Sequence, residues 1–268
     1  MNVNLLGEAV LGEAETRQRM SHYVAALRLP EVQCVSIKIS TIDSQLSSIA
    51  RGHTIRKVAD RLETLYRTAN HEKIPGTDLG KFVYLDMEEY RDLYLTSEVL
   101  METLGRTGLE ATRAGIAMQA YIPDSFGVML RLIEWSRRRV ADGAAPLTIR
   151  LVKGANLEME RVESSISGHV QAPFMSKTET DANYKKMLQQ LFEAASQGVV
   201  RVGLASHNLF DVSLGLVWCE KRDLSNDVQI EMLEGMANHQ RRAISEHFDS
   251  MLLYAPACRR KDFINAIG

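Results

Sequence analysis

The sequence predicts an α/β protein folded as a (βα)8 barrel of the TIM type, and three observations carry that reading. Short β-branched runs alternate with longer amphipathic stretches along the whole chain; eight such runs can be marked; and several are nearly continuously apolar, as in parallel strands covered on both faces. Eight strand–helix units within 268 residues favour a closed barrel over an open doubly wound sheet. No Pro/Ser-rich linker divides the chain, so residues 1–268 read as one domain.

The expected strands are Asn2–Leu6, Gln33–Ile39, Phe82–Asp86, Ile116–Ala120, Leu147–Val152, Val200–Ser206, Val228–Leu233 and Met251–Tyr254. Between them, Ile55, Val58, Leu62, Leu65 and Tyr66 recur at helical spacing, with charged residues on the opposite face. Asp181 is the expected N-cap of a helix carrying Tyr184, Met187, Leu188, Leu191 and Phe192, with Gly198 placed to end it. Asp124 and Asn208 are expected to cap two further helices. Two connections look long, Ile42–Thr54 and His71–Gly80. The second runs into Gly76-Thr-Asp-Leu-Gly80-Lys81, which is one residue short of a phosphate loop and precedes a strand, so it reads as a turn.

Composition narrows the function. Hydrophobic residues make up 45% and charged residues 25%, and 32 basic against 34 acidic side chains leave a net charge of −2. That balance speaks against a nucleic-acid surface. No apolar run approaches the roughly 18 residues of a spanning helix, and the N-terminus lacks a leader pattern. Cys34, Cys219 and Cys258 fit neither a disulfide framework nor a metal spacing, which points to a reducing, cytoplasmic setting. The seven histidines show no metal-binding pair, and no G-x-S-x-G or G-x-G-x-x-G motif follows a strand.

Barrels of this kind place their chemistry at the C-terminal ends of the strands. The residues there are Glu8, Lys38, Asp86, Gln119 with Tyr121, Arg150 with Lys153, Ser206-His207-Asn208, Glu231 with Leu233, and Tyr254. Lys38 sits among Val35, Ile37 and Ile39 and needs a counter-charge, for which Asp86 is the candidate. Arg150 and Lys153 beside the small Gly154 and Ala155 suit an anion approaching the backbone. Ser206-His207-Asn208 leads into a helix N-terminus, a natural phosphate site. Glu88 and Glu89 read as an exposed charge pair in a first helical turn. A Schiff-base aldolase using Lys38 or Lys153 is one alternative reading, and a non-catalytic assembly module is another.

In order, the segments NVNLLGEAVLG, VSIKIS, YLDMEEYRDL, MQAYIPDS, IRLVKGANLEMERVE, ASHN, EMLEGM and LLYAP resemble the proline dehydrogenase barrel of bacterial proline utilisation A proteins. The resemblance runs from Asn2 to about Ile267. It implies a barrel that holds FAD and oxidises L-proline to 1-pyrroline-5-carboxylate, passing electrons to a quinone. It also implies peripheral contact with the inner membrane surface, and that the chain is either a domain of a parent polypeptide with an aldehyde dehydrogenase module or a shortened relative. By the same resemblance, Lys38, Asp86, Leu233 and Tyr254 would line the proline pocket, and Glu8 would be a gating acid. Arg150 would stabilise negative charge on the reduced flavin, with Asp86, Gln119, Tyr121, Lys153, Gly154, Ala155, Ser206, His207, Asn208 and Glu231 around the cofactor. The family's closing helix, with a Y-L-x-R-R-x-x-E motif, would follow Asp262–Gly268, where this sequence ends. A truncated last helix and weak proline binding are therefore expected.

Overall fold

A computed structural model describes residues 1–7 and 10–258. Eight parallel strands close into a barrel in chain order: β1 Asn2–Leu5, β2 Cys34–Ile37, β3 Phe82–Leu85, β4 Ala114–Gln119, β5 Leu147–Val152, β6 Val200–Ala205, β7 Val228–Leu233 and β8 Met251–Ala257. Closure is direct: Val3 pairs with Val35 on one side and with Ala255 on the other. The helices are α1 Glu13–Arg28, α2 Ile39–Ile42, α3 Arg51–His71, α4 Leu93–Leu104, α5 Ser125–Ala141, α6 Leu157–Ser167, α7 Lys177–Ser196, α8 Leu209–Arg222 and α9 Asn238–Ser245. Glu8 and the segment 262–268 fall outside the described residues.

Every expected strand is present, with shifts at the ends. β2 stops at Ile37 because the chain turns at once into α2, where Asp43 N–H donates to Ile39 O at 3.0 Å. α3 begins at Arg51, which shortens the first long connection; Arg51 is anchored there by a two-pronged contact to Glu98 of α4, at 2.8 and 2.7 Å. The Gly76–Lys81 segment is a turn into β3, closed by a bridge between Lys73 and Gly80. Asp181 caps nothing. α7 starts five residues earlier, at a capping box in which Ser176 and Glu179 satisfy each other's backbone amides. Asn208 does cap α8, accepting from Phe210 N–H at 2.9 Å. Asp124 precedes α5 without a capping bond and instead accepts from Tyr90 at 2.7 Å.

The two faces of the strands differ in kind. Outward residues such as Val35, Ile37, Val83, Leu85, Ile116, Ile149, Leu151, Val202, Leu204 and Ile230 form the buried apolar layer with the helices. The alternate residues fill the barrel interior, and they are largely polar: Asn2, Ser36, Tyr84, Arg150 and Glu231 are all buried. The strands are therefore alternating, where near-continuous apolar runs were expected. Two glycines make room for this interior. A Cβ on Gly115 would stand 2.2 Å from the Tyr84 ring, and one on Gly203 would stand 2.2 Å from Glu231 Oε1. Large polar side chains reach across the barrel axis because small residues face them.

Candidate active site

The interior polar residues form one connected cluster across the barrel. Arg150, 4% exposed, donates from Nε to Glu231 at 2.6 Å and from Nη1 to Asp86 at 2.8 Å. Tyr84 donates to the other Glu231 oxygen at 2.7 Å, and Tyr254 donates to the other Asp86 oxygen at 2.8 Å. Ser36 completes the cluster, donating to Asp86 at 3.2 Å and accepting from Asn2 at 3.0 Å. Burial disfavours the Arg150 charge, but Glu231 and Asp86 outweigh it and hold the guanidinium far above its usual range. Burial, followed by the neighbouring carboxylate, pushes the Tyr84 and Tyr254 hydroxyls up, so both stay protonated donors.

Above this cluster opens a cavity of about 490 Å³ at the C-terminal ends of the strands. Lys38, Asp86, Gln119, Arg150, Lys153, Gly154, Ala155, Ser206, His207, Asn208, Glu231, Leu233 and Tyr254 all lie on its wall. The expected residues thus converge on one rim, with two exceptions. Glu8 lies outside the described residues. Tyr121, expected beside the cofactor, is buried behind the wall: its ring packs under Gly154, where a Cβ would come within 2.1 Å of it. Gly154 takes φ +131, so both its backbone and its neighbour require glycine.

Ion pairs on the wall differ from the expected ones. Lys38 pairs with Glu88, because Arg150 and Tyr254 already occupy both oxygens of Asp86. Glu88 is therefore no unpaired helical-turn acid; it follows β3 and lines the cavity. Its carbonyl accepts from Gln119 at 3.2 Å and from Asn156 at 3.1 Å. Glu89 is partly buried and pairs with Arg91, and burial lifts its carboxyl above the ordinary range. Lys153 is held by Asp181 at 2.5 Å and Asp211 at 2.7 Å. Burial opposes its charge, yet the two carboxylates prevail and keep it above the ordinary lysine range. A Schiff-base amine must be uncharged to attack, so Lys153 is poorly suited to that role.

The ASHN turn is organised internally. Asn208 N–H donates to Ser206 Oγ at 3.0 Å, and Leu233 N–H donates to His207 Nε2 at 3.0 Å. His207 therefore carries its proton on Nδ1, and burial lowers its pKa, leaving it neutral at pH 7. The α8 amide of Phe210 is already spent on the Asn208 cap, so less of that helix N-terminus is open to an anion than expected. Three residues of the wall keep a buried polar atom without a partner among the described residues: Gln119 Oε1, Arg150 Nη2 and His207 Nδ1. Buried polar atoms are normally bonded, so one acceptor and two donors on a single cavity suit a polar heterocyclic guest.

Sequence reasoning missed Tyr84, Ser36 and Glu88. The first two were visible in period-2 alternation, since Phe82-Tyr84-Asp86 and Cys34-Ser36-Lys38 share a strand face. Nothing local marks Glu88, which depends on where the loop after β3 folds.

Comparisons with known proteins give the family and the fold. The proline dehydrogenase family profile matches residues 1–265. A solved structure of proline utilization A from Corynebacterium freiburgense is 39% identical with a TM-score of 0.93, covering 100% of this chain and 27% of that one. The proline utilization A of Bdellovibrio bacteriovorus, inactivated by N-propargylglycine, is 28% identical with a TM-score of 0.85, covering 96% of this chain and 28% of that one. The Bradyrhizobium japonicum protein, at 22% identity and a TM-score of 0.81, shares the fold. No curated protein sequence was found to match. The chain thus spans little more than a quarter of these solved relatives, and it belongs to the proline dehydrogenase family.

Proposed function

We propose that this barrel oxidises L-proline to 1-pyrroline-5-carboxylate with FAD as electron acceptor. The observation that carries the proposal is that Lys38, Asp86, Arg150 and Tyr254 meet on the wall of one cavity in a chain of this family. When bound, FAD supplies a two-electron acceptor for a hydride at its N5. Loss of that hydride from the ring carbon beside nitrogen, and of a proton from the nitrogen, leaves the C=N bond of the product.

The chain's own residues bind and orient. Lys38 attracts the proline carboxylate, while Tyr254 and Leu233 pack the ring from β8 and β7. Orientation of this kind supplies much of the rate. Arg150 Nη2, Gln119 Oε1 and His207 Nδ1–H are the groups suited to the flavin ring edge, and Arg150 offsets negative charge on its reduced form. Lys153, Gly154, Ala155, Ser206 and Asn208 line the side suited to the phosphates. Glu231 serves from below by fixing Arg150. A quinone is the onward acceptor, reached by peripheral membrane contact in a longer polypeptide that also carries an aldehyde dehydrogenase module; the length of the solved relatives supports that larger setting. Among the described residues no helix is long and apolar enough to cross a membrane.

The test is spectroscopic. Protein incubated with FAD and freed of excess should retain a flavin spectrum, and anaerobic proline should bleach it. A colourless protein, or a bound flavin indifferent to proline, overturns the proposal.

A further inference from the structure

We propose that Glu88 is a built-in competitor for the substrate's carboxylate, occupying Lys38 until a ligand displaces it. The inference rests on the reading of Lys38 as the carboxylate-binding residue. Three observations support it. Glu88 is ion-paired with Lys38 on the cavity wall, so the ammonium a substrate would use is already neutralised. The backbone of Glu88 is pinned by Gln119 and Asn156, whereas its carboxylate has only Lys38 to hold it among the described residues. Its side chain is 38% exposed, so it can swing away into water at little desolvation cost.

The other charged groups of the wall are not exchangeable in this way. Both Asp86 oxygens and both Glu231 oxygens are occupied by Arg150 and the two tyrosines, and Lys153 is gripped by two carboxylates. An incoming carboxylate at Lys38 would share one ammonium with Glu88, and the two like charges repel. Ligand binding therefore exchanges one ion pair for another. Glu88 weakens the affinity of Lys38 for every carboxylate alike, so it sets the threshold that a ligand's other contacts must overcome.

A calorimetric titration tests this without relying on turnover. The full chain would be titrated with proline and with tetrahydrofuran-2-carboxylate, which keeps the ring and the carboxylate but has no amine. Glu88→Gln should bind both acids more tightly, by roughly two- to fivefold, the scale of a partly exposed ion pair. It should also gain affinity for acetate. Combined with Lys38→Met, the substitution should have no further effect. Unchanged binding in Glu88→Gln, with binding lost in Lys38→Met, overturns the competitor role and leaves the Lys38 reading intact. Weaker binding of proline alone would instead make Glu88 a partner of the substrate amine, which also overturns it. If the unaltered chain binds neither acid, both readings fall.

Discussion

The Arg150 guanidinium carbon lies 3.7 Å from the centroid of the Tyr84 ring, and both residues grip the same Glu231 carboxylate, at 2.6 and 2.7 Å. A cation stacked on an aromatic face and clamped by a shared carboxylate has very little freedom to move. The unpaired Nη2 of Arg150 is thereby presented in a fixed place below the cavity.

Glu231→Leu should be strongly destabilising. It leaves Arg150 with Asp86 as its remaining charged partner and strips the Tyr84 hydroxyl of its acceptor. The expected loss is about 2–4 kcal/mol in urea unfolding, because a buried charge keeps only part of its compensation. A loss below ~1 kcal/mol would show that the cluster repacks.

One glycine of the barrel interior and one on a helix surface give a matched pair of tests. Gly203→Ala should cost about 1–3 kcal/mol, since its Cβ would stand 2.2 Å from Glu231 Oε1 and 3.2 Å from the Arg150 backbone. Gly127→Ala, within α5 and facing open space, should gain about 0.5–1 kcal/mol from helix propensity alone. Equal effects would refute the steric account.

Asp92, just before α4, makes stability fall as pH rises. Burial, reinforced by Glu89 and Glu88 and only partly opposed by Arg91, lifts its carboxyl from 3.8 to about 6. The folded chain thus holds a proton that the unfolded chain has released; the benefit is complete below pH 3.8 and is lost as pH climbs through about 6. Asp92→Asn should therefore raise Tm relative to the unaltered chain at pH 7.5 and leave it nearly unchanged at pH 4. A gain of the same size at both pH values would exclude this cause.

His207 should appear in nitrogen-15 NMR as the neutral Nδ1–H tautomer at pH 7, titrating below the ordinary histidine range. Detection of an Nε2 proton would mean that the Leu233 amide does not donate to it.

The eight strands were legible because alternation between β-branched runs and amphipathic stretches is a local property. Val58, Leu62, Leu65 and Tyr66 read as one buried helix face, and they form one. The rim residues were legible as well, since a parallel barrel sends every strand's C-terminal end to the same side. Asp181 was misplaced because a capping box at Ser176 and Glu179 outcompetes a lone acid inside the first two turns.

By itself the sequence determined the barrel, its order of elements and most of the side chains that the strand ends deliver to one rim, because periodicity and strand direction are encoded residue by residue. Which charges meet was decided only by the tertiary structure. Lys38 takes Glu88 because Arg150 and Tyr254 claim Asp86, and Arg150 takes Glu231 because Gly203 leaves room for that carboxylate. Ion-pair partners are chosen by competition in three dimensions, and strand spacing carries no record of the winner.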